Sequence, residues 1–426
     1  MSLTLAQKKI AIGSFLGWSL DGYDIVLMLL VIPSISQLFF PSEDPMFSIL
    51  ATFASYTVTL IMRPLGSVIF GIYGDKFGRK KAMVITIMGF SIATFAVGLL
   101  PTYLMVGAMA PILLIIVRLI QGIFAGGEWG SGAVLTIESM SKQKRGVISG
   151  FLQSGFSFGF LLAAISFQTI TILFPDQLFE EFGWRILFFT GIIPGFVALF
   201  VRLSMDESPL WIKNNRESGG IVKTPLRSII FGKIHRKEFL LCAAIMTGLV
   251  YMYHGSISIL PTYLGEFGDF QKEQIALIMI YATASSWIGM ILTGWLSQKI
   301  GRKKSMLIFA SASILVSIPL ASAILNNLYG LVLYVIVYAF VISTASGPIP
   351  AYFSERFPTK IRNSAAGFSY NAGLIFGSWS PLIALYFMSS VSKELVPVAL
   401  GINIMIGSII LIIPTLLSME TKDVEL

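Results

Sequence analysis

Gly71-Ile-Tyr-Gly-Asp-Lys-Phe-Gly-Arg-Lys-Lys81 is answered far downstream by Gly294-Trp-Leu-Ser-Gln-Lys-Ile-Gly-Arg-Lys-Lys304. Each copy closes an apolar run, places a glycine before a basic cluster and leads into another apolar run. A second echo keeps step with the first: Glu138 stands seven residues before Arg145, and Glu355 stands seven before Arg362. Two motif pairs at nearly one offset mean that the chain is two copies of one unit, so the fold of either half is the fold of both.

Outward from the repeats the sequence is mostly apolar. Of 426 residues 55% are hydrophobic and only 12% charged, and the mean hydropathy is +0.81, beyond what a water-soluble chain carries. Runs long enough to cross a bilayer fall at about 10–38, 48–72, 82–100, 108–137, 147–173 and 185–203, then at about 239–264, 275–297, 305–325, 328–353, 364–388 and 395–417. Backbone groups in lipid must be satisfied within the segment, and barrel strands would be half as long, so the class is all-α with twelve transmembrane helices. The expected organisation is a six-helix bundle over residues 1–203, a polar cytoplasmic linker over 204–237 and a second six-helix bundle over 238–426.

The net charge of +8 does not point to nucleic acid, because the basic residues sit in short clusters between apolar runs. Lys8 and Lys9, Lys76 to Lys81, Lys142 to Arg145, Lys299 to Lys304 and Arg356 to Arg362 occupy alternate connections. The positive-inside rule makes those connections cytoplasmic, with both termini inside and the chain multi-pass in the cell membrane. The start is read as a retained first span, since no small-residue cleavage site follows it. One cysteine, Cys242, and two histidines leave no disulfide, metal-ligand spacing or cofactor motif.

Ionisable residues inside apolar runs are costly and therefore informative. Asp21 and Asp24 lie three apart, on one face of the first span and roughly 16 Å from its cytoplasmic start for Asp21. Arg63 sits in the second span before Pro64. Arg118, Gln121 and Glu128 form a stripe on the fourth and are expected to face one cavity. The plain alternative is a set of buried ion pairs that only orient helices. Tyr251, His254, Asn371 and a scatter of aromatics (Tyr281, Trp287, Tyr352, Tyr370, Trp379) are weaker candidates in the second half, since a buried histidine or aromatic equally serves packing.

In the repeated loop Gly74 and Gly78 permit a tight reversal, and Asp75, at a helix C-terminus, needs a cation or another helix's N-terminus. Asp75 and Arg79 are thus expected to latch, unless the cluster serves topology alone. Gln298 replaces Asp75 in the second copy, where Arg302 matches Arg79, so an asymmetric latch is expected. Glu138, Arg145, Glu355 and Arg362 are expected to gate.

The loop resembles the signature loop of the major facilitator superfamily, and Glu138 to Arg145 and Glu355 to Arg362 are similar to its cytoplasmic charge relays. Asp21-Gly-Tyr-Asp24, Arg118-Leu-Ile-Gln-Gly122, Gly126-Gly-Glu-Trp-Gly-Ser131, Ser149 to Ser157 and Glu207-Ser-Pro209 look like the branch of sialate–proton, metabolite–proton and aromatic-acid–proton symporters. The resemblance implies alternating access of two bundles around a mid-depth site, an arrangement of which this superfamily is itself the standard example. It implies a small organic acid anion held by Arg63, Arg118 or Gln121, to which the residues themselves add Tyr251, His254 and Asn371 as candidates, a coupling proton on Asp21, Asp24 or Glu128, no cofactor, and a monomer whose partners are solute, protons and lipid. The alternatives are a proton-coupled sugar or drug carrier and a non-transporting membrane sensor.

Overall fold

The computed structural model describes residues 3–175, 177–204, 235–326, 330–359 and 361–426, and the side chains at 75, 76, 79, 194, 325 and 326 fall outside that description. The proposed linker at 204–237 lies almost wholly outside it, as do the side chains of Asp75 and Arg79, so their latch has no structural account. No strand occurs among the described residues.

Six spans form the first half: α1 Leu5–Phe39, α2 Pro45–Phe77, α3 Arg79–Leu99, α4 Met109–Glu138, α5 Arg145–Leu173 and α6 Phe179–Leu203. The second half has α7 Arg236–His254, α8 Lys272–Ile300, α9 Arg302–Asn326, α10 Leu331–Arg356, α11 Arg362–Ser389 and α12 Lys393–Leu417. Eleven of the twelve, among the described residues, are long and apolar enough to cross a membrane. The exception, α7, is broken: its regular helix stops at His254, and after residues 255–259 the span resumes through Leu260–Thr262 and Tyr263–Phe267. Alternation of the spans gathers both chain ends on one face, here the termini face, opposite a far face.

Local sequence sets the ends. Thr4 and Gln7 form a capping box that starts α1, and Asp44 accepts from Met46 N at 3.0 Å before Pro45 opens α2. Gly78 and Gly301, the matching glycines of the repeated loop, turn the chain with φ of 109° and 107°, a region that glycine enters without a Cβ penalty. Gly74, expected to share the reversal, is still helical within α2.

Between lipid-facing helices the hydrophobic effect supplies no attraction, so close backbone approach must. A Cβ on Gly126 would collide with Arg63 O and one on Gly66 with Ile123 O, which is how α2 and α4 touch. The halves meet through α5 against α8 and α2 against α11. At the first of these, a Cβ on Gly150 would lie 2.5 Å from Met290 O and 2.7 Å from Gly294 Cα. The α1 span is 94% buried over its apolar centre, so α1 is the wall between lipid-facing helices and the middle of the molecule.

Candidate functional site

A cavity of about 50 Å³ lies between the halves, lined by Trp18, Arg63, Gln153, Phe156, Tyr253, His254 and Tyr370 among others. Its aromatic wall is ordered. Trp129 stacks on Tyr370 at 3.8 Å between ring centroids, and Trp18 meets Tyr370 edge-on at 5.8 Å and Phe156 at 5.4 Å. Trp18 Nε1, Arg63 Nε, Gln153 Oε1 and Tyr253 Oη are buried without a hydrogen-bond partner among the described residues. Buried polar atoms normally find one, so this concentration beside a cavity is a place where a solute has groups to satisfy.

Three ion pairs fill the first half beside that cavity. Arg63 of α2 donates to Asp21 of α1. Gln121 Nε2 of α4 donates to Asp24 at 2.6 Å and to Thr94 of α3 at 3.1 Å, while Arg118 donates to Gln121 Oε1 and stands 3.9 Å from Asp24. Arg202, near the end of α6, donates to Glu128, with Nη1 2.7 Å from Oε2 and 3.0 Å from Met83 O. Sequence reasoning overlooked Arg202, Thr94 and Gln153. A buried amide in an apolar run was the available signal for Gln153; Arg202, beside a polar segment, reads as an orientation charge.

Several expectations need correction. Arg118, Gln121 and Glu128 share a face, but that face does not line the central cavity: it turns toward α1, α3 and α6, with Gln121 on Asp24 and Thr94 and Glu128 on Thr86 and Arg202. Tyr251 donates to Asn403 Oδ1 of α12 at 2.9 Å and so braces α7 within the second half. Asn371 donates to Gly126 O at 3.3 Å across the halves, gripping the interruption of α4 at Gly127 instead of the cavity. Tyr281 and Trp379 are exposed on the outer surface, and Tyr352 donates to Met419 O at the termini face. Arg63 and His254 do line the cavity.

At the termini face the repeated acids find arginines outside their own motif. Glu138 of the first half accepts from Arg362 of the second at 2.7 Å, and Glu355 accepts from Arg302 at 3.2 Å. Arg145 donates to Val424 O at 3.0 Å. Gln298, at the position matching Asp75, accepts from Gly146 N at 2.8 Å in the first turn of α5, the helix N-terminus that such a residue needs. The segment after α12 crosses the same seam. Glu420 accepts from Arg302 N and Lys303 N at 2.8 and 3.0 Å, Thr421 donates to Glu355 at 2.7 Å, and Glu425 meets Lys142 at 3.1 Å. Second-half residues are thereby strapped to first-half ones.

Two six-span halves meeting around a small, mostly apolar cavity are the architecture of a membrane transporter. The chain belongs to the Major Facilitator Superfamily, whose pattern it matches over residues 14–381. It is 31% identical to the inner membrane metabolite transport protein YhjE of Escherichia coli, over 99% of this chain and 96% of that one. It is 29% identical to the glycine betaine/proline/ectoine/pipecolic acid transporter OusA of Dickeya dadantii, over 92% and 79%. The partially occluded inward-open xylose transporter XylE of E. coli superposes with a TM-score of 0.75 at 20% identity, covering 99% of this chain and 100% of that one. That likeness speaks to fold alone.

Proposed function

We propose that the chain is a proton-coupled symporter of small carboxylate-bearing solutes, a monomer in the cell membrane with its termini face cytoplasmic. The observation that carries this reading is Arg63: it lines the cavity, keeps Nε unpartnered, and is held on its other side by Asp21. A solute carboxylate reaching Arg63 competes with Asp21 for one guanidinium. Asp21, deprived of its cation in a buried site, is stabilised by taking a proton, so solute and proton bind cooperatively. Asp24, with Arg118 and Gln121, is the second candidate carrier of the proton, and Glu128 the third.

The aromatic wall refines the solute class. Trp18, Phe156, Tyr253 and Tyr370 offer ring faces that suit an alkylated ammonium, and glycine betaine, proline and pipecolic acid, the solutes for which the Dickeya relative is named, each combine a carboxylate with a cationic nitrogen. A zwitterion spanning Arg63 and this wall is favoured over a simple organic acid, which would use Arg63 alone. A neutral sugar would leave the guanidinium without a charged partner. At about 50 Å³ the cavity has room for only a few waters, so the solute enters only as the halves part.

Uptake into proteoliposomes under an imposed pH gradient tests the reading. Betaines and imino acids should compete strongly, monocarboxylates weakly and sugars not at all. Asp21→Asn or Asp24→Asn should lose gradient-driven accumulation while keeping solute exchange, because exchange needs alternation but no net proton release. Accumulation at wild-type level in both variants would remove these two aspartates from the coupling, and competition by sugars alone would remove the carboxylate.

A further inference from the structure

On the far-face side of the cavity, one polar junction between the halves has a feature that transport of a particular solute does not require. Tyr56 Oη of α2 lies 2.6 Å from His254 Nδ1 of α7, and Ser258 Oγ lies 2.9 Å from that same nitrogen. All three side chains are buried. Tyr56 stands seven residues, two helical turns, nearer the far face than Arg63, and His254 is the last residue before the break in α7. Phe156 and Tyr253 meet the imidazole edge-on at 6.4 and 5.7 Å and fix its plane. The break itself is preformed, since Asn403 donates to Gly255 O at 3.2 Å.

A ring nitrogen offers one in-plane position, whether a lone pair or an N–H, so two hydroxyls cannot both use it well in either tautomer. The two partners differ in allegiance. Tyr56 belongs to the first half and leaves when the halves separate; Ser258, four residues along the same span, travels with His254. We propose that His254 Nδ1 exchanges partners during the transport cycle, bonding Tyr56 while the far face is sealed and Ser258 when it opens. Tyr56 then closes the gate, and Ser258 keeps the nitrogen from being stranded once the clasp lets go, which an unpaired buried group would otherwise oppose.

The exchange makes opposite demands on two variants that each lose one oxygen. With Cys242→Ala and a single reporter, Val250→Cys on the cavity wall, a membrane-impermeant thiol reagent is applied to the far-face side, that side being identified by a Glu43→Cys control. No solute is needed, so the result stands apart from the proposed substrate. Tyr56→Phe should raise the labelling rate severalfold, Ser258→Ala should lower it by removing Tyr56's competitor, and Ser258→Thr, which retains a hydroxyl, should label as the parent does. No change in Tyr56→Phe, or movement of Tyr56→Phe and Ser258→Ala in the same direction, overturns the proposal; should Tyr56→Phe not fold, a rise or no change in Ser258→Ala overturns it alone.

Discussion

Arg202 and Glu128 show how much one residue can matter here. Their pair is buried between α6 and α4, and without Arg202 the Glu128 carboxylate would keep, among the described residues, Thr86 alone, at 3.4 Å. Removing one member of a buried pair strands the other charge, which typically costs about 3–5 kcal/mol. Arg202→Met should therefore lower the thermal unfolding midpoint in detergent sharply, and adding Glu128→Gln should restore most of the loss. Arg63→Lys should behave differently: Asp21 retains a cation, so stability changes little, but the planar fork is gone and apparent solute affinity should fall tenfold or more, about 1.4 kcal/mol, in equilibrium binding. Asp21, Asp24, Arg63 and Arg118 were legible in the sequence because a charge within an apolar run is rare enough to be noticed. Their partners were not, since a helical wheel gives the face that Arg118 shares with Gln121 but not which neighbour that face meets.

Among the helices, the crossing of α5 and α8 has the narrowest tolerance. Met290 O and Gly294 Cα stand where a side chain on Gly150 would go, and backbone atoms cannot rotate away. Gly150→Ala should force α5 and α8 apart and raise labelling of a reporter cysteine from the termini face. Gly71→Ala is the contrasting case: Gly71 opens the repeated motif, yet nothing lies within 4 Å of its would-be Cβ, so uptake and unfolding midpoint should stay at wild-type values. The sequence presents both glycines alike, because closeness between helices distant in the chain leaves no local trace. The twelve spans were legible from run length, as was the turn at Gly78 from its repeat at Gly301. The breaks in α4 and α7 were not, because Gly127 and Gly255 are apolar-run residues whose consequence depends on what packs beside them.

Across the whole molecule, closure of the termini face depends on bonds that cross from half to half. Glu138 with Arg362, Gln298 with Gly146 N, and Arg145 and Lys142 with the segment after α12 all lie there. Each bond shared across the seam exists only in the closed arrangement, so each biases the population toward it. Arg362→Gln should shift that balance toward opening by about tenfold if a charge-assisted bond of roughly 1.5 kcal/mol is lost. The shift would be read as faster termini-face labelling, and an unchanged rate would leave Arg362 an orienting charge only. The repeat made these residues visible as a set, but the sequence suggested partners within each motif, whereas folding pairs Glu138 with Arg362 of the other half and Glu355 with Arg302 of the repeated loop in its own half.

The segment that follows α12 also has a length. It is fixed to the first turn of α9 through Glu420 and to Arg145 of the other half through Val424 O. Four residues of chain, drawn straight, reach no more than about 14 Å. While both attachments hold, the segment is a tether with a fixed stop. The seam can widen only until the tether is taut, and any wider excursion begins with the release of one end, so the longest opening step waits on the weaker of the two attachments.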